Sequence, residues 1–349
     1  MGAAERSFAE LAAAVQHNCD VIDAQHARDS GLCTYLLAMR EYFRWACRLD
    51  LGAKLAPGAV GAWIARHEEH WQGLLDQGED RLVPLPLQGG LDAYDEAAAN
   101  QQIEPHGLIY GAGIGRFGVP LFFLARRQAQ LQREGAQVIV AGDEFARGFV
   151  APPAVSRDAT IVVRLDALRR WLWTRAEAAS AREATDAFRM ALHAYDRGPA
   201  QETIDAMAQA ELESLILHEL GELRAGQIVG PQWELMLAQL GDRRTELVVR
   251  AVRDLLADCL VTLPALLERR ALPSLQFWFS NFDGMRRQLD PRVLEARCAS
   301  AGRIDTDRLH DAAARGREQW SATAHDLLDC WRAGGRQAVA ARTLALCPA

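Results

Sequence analysis

The stretch from Glu211 to Glu222, Glu-Leu-Glu-Ser-Leu-Ile-Leu-His-Glu-Leu-Gly-Glu, constrains this chain more than any other. It lies inside a run from Gln201 to Ala225 whose apolar residues recur at helical spacing. At about 100° per residue, Ile204, Ala208, Leu212, Leu215, Ile216 and Leu223 gather on one side. Glu211, His218, Glu219 and Glu222 fall within that sector or at its margin, not opposite it. Carboxylates and an imidazole facing an interior are costly unless paired, protonated or bound to a metal. The chain is therefore expected to build a packed helical layer that accommodates a polar group. That group marks a site without naming a reaction.

The 349 residues are 50% hydrophobic, enough for a sizeable core and for two domains. Lys+Arg 39 against Asp+Glu 46 leaves a net charge of −7, with both signs interspersed. Without a basic block, neither nucleic acid nor an anionic membrane is the expected partner; a small molecule or a protein is. Seven scattered cysteines with no CxxC pair argue against a zinc knuckle or a disulfide scaffold and for a reducing cytoplasm. Cys19 and Cys47 read as small hydrophobes on apolar helix faces. The start of the chain lacks an apolar leader core, and the apolar run near Val119 to Ala125 is too short to span a bilayer. A soluble cytoplasmic protein is expected.

In order along the chain, amphipathic helices are expected over 7–30, 32–48 and 61–75. The texture changes near Gly78, and Val83-Pro-Leu-Pro-Leu is extended because each proline pushes its predecessor away from helix. Short strands are expected near 107–113, 119–125, 137–141 and 160–164, forming a small antiparallel sheet. From Asp166 the pattern is helical almost to the end, with prolines at breaks. The fold class is α+β, predominantly α-helical. Its division is a helical domain with the sheet over 1–165 and an all-α domain over 166–349.

Several motifs carry less than they first suggest. Gly113-Ile-Gly-Arg-Phe-Gly118 matches GxGxxG, yet a strand pattern follows it where a dinucleotide site needs a helix, so it reads as a hairpin turn. His218-Glu219-Leu-Gly-Glu222 resembles the HExxH metalloprotease helix with glutamate in place of the second histidine. Asp254 and Asp258 are placed on the polar side of their helix, with Glu246, Arg250 and Asp254 as surface pairs. The absence of a second acidic set argues against helical nucleotide pyrophosphatases. His325-Asp326 reads as helix surface. His17, His67 and His70 lack a coherent set of polar partners, and Glu68-Glu69-His70 reads as a solvated face. The aromatic-rich Leu275 to Gly284 is either core packing or a pocket wall.

Three segments together carry a resemblance: His17 through Trp45, Gly107-Leu-Ile-Tyr-Gly-Ala-Gly, and Leu217-His-Glu-Leu-Gly-Glu222. They are similar to an uncharacterised bacterial family, a domain of unknown function with N- and C-terminal parts. The resemblance covers nearly the whole chain and implies a two-part protein, with no activity to carry over.

From the residues, the expected function is a metal-binding protein acting as a metal-dependent hydrolase or oxidase. Glu211, His218 and Glu222 are the candidate ligands, with His26 and Asp23 added because they share an apolar face. Glu219 is the candidate acid/base, and Zn, Mn or Fe the candidate ion. The alternative is a non-catalytic binding or scaffolding protein in which the same group locks a helix interface.

Overall fold

Turn chemistry lays out the sheet. Strand β1 (Leu108–Ile114) runs antiparallel to β2 (Pro120–Arg133), with Leu108 opposite Arg126 and Ile114 opposite Pro120. The glycine run between them is a hairpin turn, as expected: the Gly115 N–H donates to the Val119 carbonyl at 2.7 Å, and Phe117 and Gly118 take positive φ. Gly111 sits opposite Phe123, and a Cβ there would meet the Phe123 ring at 2.0 Å. Only glycine lets that ring lie across the strand. Between β2 and β3 (Ala136–Arg147) only Glu134 and Gly135 intervene, with φ of 48° and 84°, the signature of a type I′ hairpin turn.

Strands β4 (Ala154–Arg157) and β5 (Thr160–Arg164) form a second antiparallel pair, and the order across the sheet is β1-β2-β3-β5-β4. The sheet is mixed, not wholly antiparallel. Since the other neighbours are hairpins, β3 and β5 are the parallel pair. The Gln137 N–H donates to the Ala159 carbonyl, so both strands set out from the same end. The sequence pattern hides β4. That short strand carries the chain back, which is the crossover a parallel pair requires.

The structure is a computed structural model and describes residues 3–29, 31–76, 78, 81–179, 186–298 and 301–347. It is α+β and predominantly helical, 68% helix against 14% strand, with the sheet over 108–164 and helices from 165 on. Contacts divide the chain into two units. The first holds residues 1–131, 139–153 and 164–171; the second holds 132–138, 154–163 and 172–349.

Helices α1 (Ala3–His26), α2 (Leu32–Ala46), α3 (Pro57–Asp76) and α4 (Glu96–Ile103) belong to the first unit. One core gathers Val15, Cys19, Tyr110, Phe122 and Leu124; another gathers Val21, Met39, Tyr42, Trp71 and Phe149. Cys19 is buried as expected, while Cys47 follows the end of α2 and is exposed. Arg164 is fully buried, bonded to Glu144 at 2.6 Å and laid over the Phe123 ring.

The remaining helices are α5 (Leu165–Ala179), α6 (Ala187–Ala194), α7 (Ala200–Val229), α8 (Gln232–Gln239), α9 (Arg243–Ala257), α10 (Leu263–Glu268), α11 (Leu272–Asn281), α12 (Gly284–Leu289) and α13 (Thr306–Leu346). Asp242 caps α9 by accepting the Thr245 N–H, and Asp305 caps α13 from Arg308. The second unit's core includes Leu217, Trp233, Val249, Leu256, Trp278, Phe279, Phe282 and Trp320, so the aromatic stretch is core packing. A π-turn over Asp258–Thr262 joins α9 to α10. Pro264 accounts for it: a proline supplies no N–H to the carbonyl four residues back and crowds it, so the ladder widens. Helix α13 breaks at Gly334 and Gly335, the latter with φ of 60° and ψ of −154°.

The approach of α7 to α9 is set by Gly221, where a Cβ would meet the Ala257 carbonyl oxygen at 2.6 Å. Gly221→Ala is therefore expected to destabilise the protein by about 1–3 kcal/mol through overpacking, although alanine is the better helix former by about 1 kcal/mol. Guanidinium denaturation checks this; a more stable variant would mean that the two helices lie further apart.

A candidate metal centre between two helices

Along α7, His218 and Glu222 stand one turn apart with Gly221 between them in the sequence. Because Gly221 admits the Ala257 backbone, the end of α9 lies directly against this turn. Asp254 and Asp258, also one turn apart, then face the α7 pair. One ligand atom each from His218, Glu222 and Asp254 lies within 4.8 Å of the others.

Both ring nitrogens of His218 face carboxylates. Nδ1 is 3.1 Å from Asp258 Oδ1 and Nε2 is 3.4 Å from Glu222 Oε1. Burial opposes a charge on this ring, but the hydrogen bonds and charges of Asp258 and Glu222 overcome it and carry the imidazole well above its usual range. Asp258 is 1% exposed and accepts a second bond from Arg286 at 3.0 Å. Burial pushes Asp258 up, yet His218 and Arg286 hold it below the ordinary carboxylate range. Arg253 donates to Glu222 and Glu234, both at 2.8 Å.

Glu219 and Asp254 lack such strong partners. Burial, then the charge of Glu222, pushes Glu219 up to about 7, with His218 opposing. The same two causes raise Asp254. Asp254 forms no hydrogen bond or ion pair with another side chain among the described residues. This carboxylate can accept a proton or a cation.

The structure thus brings together His218, Glu222 and, beside them, Glu219. Glu211 is fully buried but occupied by three hydroxyls: Tyr195 at 2.6 Å, Ser214 at 2.5 Å and Ser274 at 3.1 Å. Seven residues of helix also separate it from His218 by about 10 Å, too far to share one ion. Asp23 and His26 lie in the first unit. Asp23 accepts the Phe149 N–H at 2.9 Å, and His26 Nδ1 stands 3.2 Å from Asp29. Neither falls in a three-ligand group among the described residues.

Asp254 and Asp258 are the residues that the sequence pattern misplaces. The Glu246–Arg250 pair forms, at 2.7 Å, but Glu246 is buried instead of at the surface, and no Arg250–Asp254 pair is found among the described residues. Asp258, however, opens the π-turn and is buried, and Asp254 is half-buried, with a carboxylate oxygen near His218 and Glu222 of α7. The polar stripe of α9 is covered by another helix. A faint signal existed: an i, i+4 acidic pair matches the His218/Glu222 spacing, with a glycine at the crossing. His325 and Asp326 remain at the surface, where His325 Nδ1 faces the Ser321 carbonyl.

Glu211 gives a test of its structural role. Burial raises its carboxyl above the ordinary 4.5 despite the three hydroxyls. A raised folded-state value means stability present below 4.5 and lost as pH rises through the folded value. Glu211→Gln is expected to remove that slope. Urea denaturation at a series of pH values from below 4.5 upward should show a flatter stability profile for the variant than for the wild type.

No described helix is long and apolar enough to cross a membrane. No curated protein and no solved structure matches the chain. Residues 10–164 match the N-terminal domain, and residues 169–346 the C-terminal domain, of the family of unknown function DUF6866. The chain belongs to that family and carries both of its parts, as the resemblance implied.

Proposed function

We propose that the protein binds one divalent metal ion through His218 Nε2, Glu222 and Asp254, and that this centre performs hydrolysis with Glu219 as acid/base. The observation that carries the reading is the convergence of these donor atoms within 4.8 Å, with Asp254 otherwise unpartnered among the described residues. One nitrogen and two carboxylates suit Zn²⁺, Mn²⁺ or Fe²⁺. Such an ion supplies Lewis-acid chemistry to a water or a substrate oxygen. Asp258 positions the ring: a carboxylate on Nδ1 fixes the tautomer that leaves Nε2 to a metal. Binding requires the His218 imidazole, which Asp258 and Glu222 hold well above its usual range, to give up its Nε2 proton. Glu219, poised near 7, matches the range a general base needs. Nothing at the site favours an oxidase over a hydrolase. The reading includes a cytoplasmic setting, supported by the scattered cysteines, and a bacterial one, which rests on the resemblance drawn from the sequence alone.

A second reading rests on the arginines. Arg253 ties Glu222 of α7 to Glu234 of α8, and Arg286 ties Asp258 to the Asn281 carbonyl. The same charges then form a lock among helices, and the protein is a binding or scaffolding module.

Metal analysis of untagged protein separates the two. The expected result is about one equivalent of metal, lost on Asp254→Asn with the helical circular dichroism unchanged. Wild-type protein that is metal-free, and shows no thermal shift with Zn²⁺, Mn²⁺ or Fe²⁺, leaves the lock as the function of these residues.

A further inference from the structure

In the first unit, two imidazoles converge on one carboxylate. His67 and His70, nearly one turn apart on α3, aim their Nε2 atoms at Asp20 of α1. His67 stands 3.9 Å from Oδ1 and His70 stands 3.4 Å from Oδ2. Both separations exceed a normal hydrogen bond. The buried Nε2 of His67 has no hydrogen-bond partner among the described residues. An unsatisfied buried nitrogen calls for an explanation. It is not a loose side chain. The His67 ring stacks on Trp63 at 4.5 Å and meets the edges of Trp71 and Tyr42 at 4.8 and 5.2 Å. Asp20 is 7% exposed and braced by Gln16, which donates to it at 3.0 Å and to the Tyr42 hydroxyl at 2.8 Å. Glu68, Glu69 and His70 are exposed, as expected, but His67 and His70 do share a polar partner, the Asp20 carboxylate of α1, which the sequence pattern does not show.

We propose that His67, His70 and Asp20 form a divalent transition-metal site of the two-histidine, one-carboxylate kind. Ligands at about 2.0–2.1 Å around a tetrahedral ion lie about 3.3 Å from one another. The His70–Asp20 separation of 3.4 Å already has that value, and the His67–Asp20 separation of 3.9 Å is close to it. Two imidazoles sharing an ion at those bond lengths place their centres about 5–6 Å apart; these stand 6.1 Å apart and the three donors do not all lie within 4.8 Å of one another, so an ion must draw His70 inward. Imidazole and carboxylate donors suit Zn²⁺, Fe²⁺ and Co²⁺. His67 is fixed by its aromatic walls and Asp20 by Gln16, so two ligands are preorganised. His70, half exposed, swings to complete the set and leaves an open position to solvent. The site shares no residue with the α7–α9 centre and stands whether or not that one binds metal.

Titration of the full chain carrying Glu222→Gln and Asp254→Asn with Zn²⁺, and with Co²⁺ followed by visible absorption, tests the site alone. The expected result is about one equivalent of Zn²⁺ bound and a low-symmetry Co²⁺ spectrum. His70→Gln should then weaken both on the order of 100-fold. His70 is half exposed, so that variant keeps the fold, and Asp20→Asn should reproduce the loss. Failure of Zn²⁺ to bind this background, or binding unchanged by both His70→Gln and Asp20→Asn, overturns the assignment.

Discussion

The close passage of two helix backbones at Gly221 underlies the chemistry of the second unit. Side-chain reach makes the point: without a Cβ at the crossing, the Ala257 backbone comes within contact of α7. The His218/Glu222 turn and the Asp254/Asp258 turn are then forced into one another's space. A larger residue would separate them by roughly a methyl's width and admit water between the charges, where their mutual influence falls steeply. The π-turn adds to this. By widening the ladder at Asp258, it points that carboxylate inward at the place where the His218 ring needs a second partner.

Electrostatics then explain why one set of residues supports two readings. An imidazolium held between Asp258 and Glu222, with Arg253 and Arg286 behind, resembles a satisfied ionic lock. The same arrangement, less one proton, presents a nitrogen and two carboxylate oxygens to a cation. The proton and the metal compete for one place, so the geometry suits either occupant. What breaks the symmetry is Asp254, which makes no hydrogen bond within the lock, although its charge acts on Arg253 and is countered by His218 and Arg286. A buried ionic lock is seldom the most stabilising way to join two helices.

Much of this was legible in the residues, and for local reasons. The inward-facing acids of α7 follow from a single helical period, and the hairpin at Gly115–Gly118 from the strand pattern after it. Glu211 and Glu219 are buried as the period demands. What escaped reading depends on partners distant in the chain. Asp254 and Asp258 share a stripe with Glu246 and Arg250, and periodicity cannot say that a second helix covers that stripe. His67 and His70 were opaque for the same reason, since their carboxylate comes from α1, some four dozen residues earlier. The mixed sheet escaped because β4 is only four residues long and carries no alternation of its own.

The break in α13 reaches beyond the helix itself. Asp326 and Arg342 are bonded at 2.5 Å, yet a straight helix would hold residues sixteen apart about 24 Å from each other. The last element is thus a helical hairpin, folded at Gly334 and Gly335, and its final arm returns alongside the first. Only glycine readily adopts the backbone angles of Gly335. Any side chain there favours a rod of about 60 Å, which would swing Val339 and Thr343 out of the core and offer their bare face to a neighbouring molecule. The hairpin is what keeps the end of this polypeptide folded upon itself, and a single residue decides between closure and exchange.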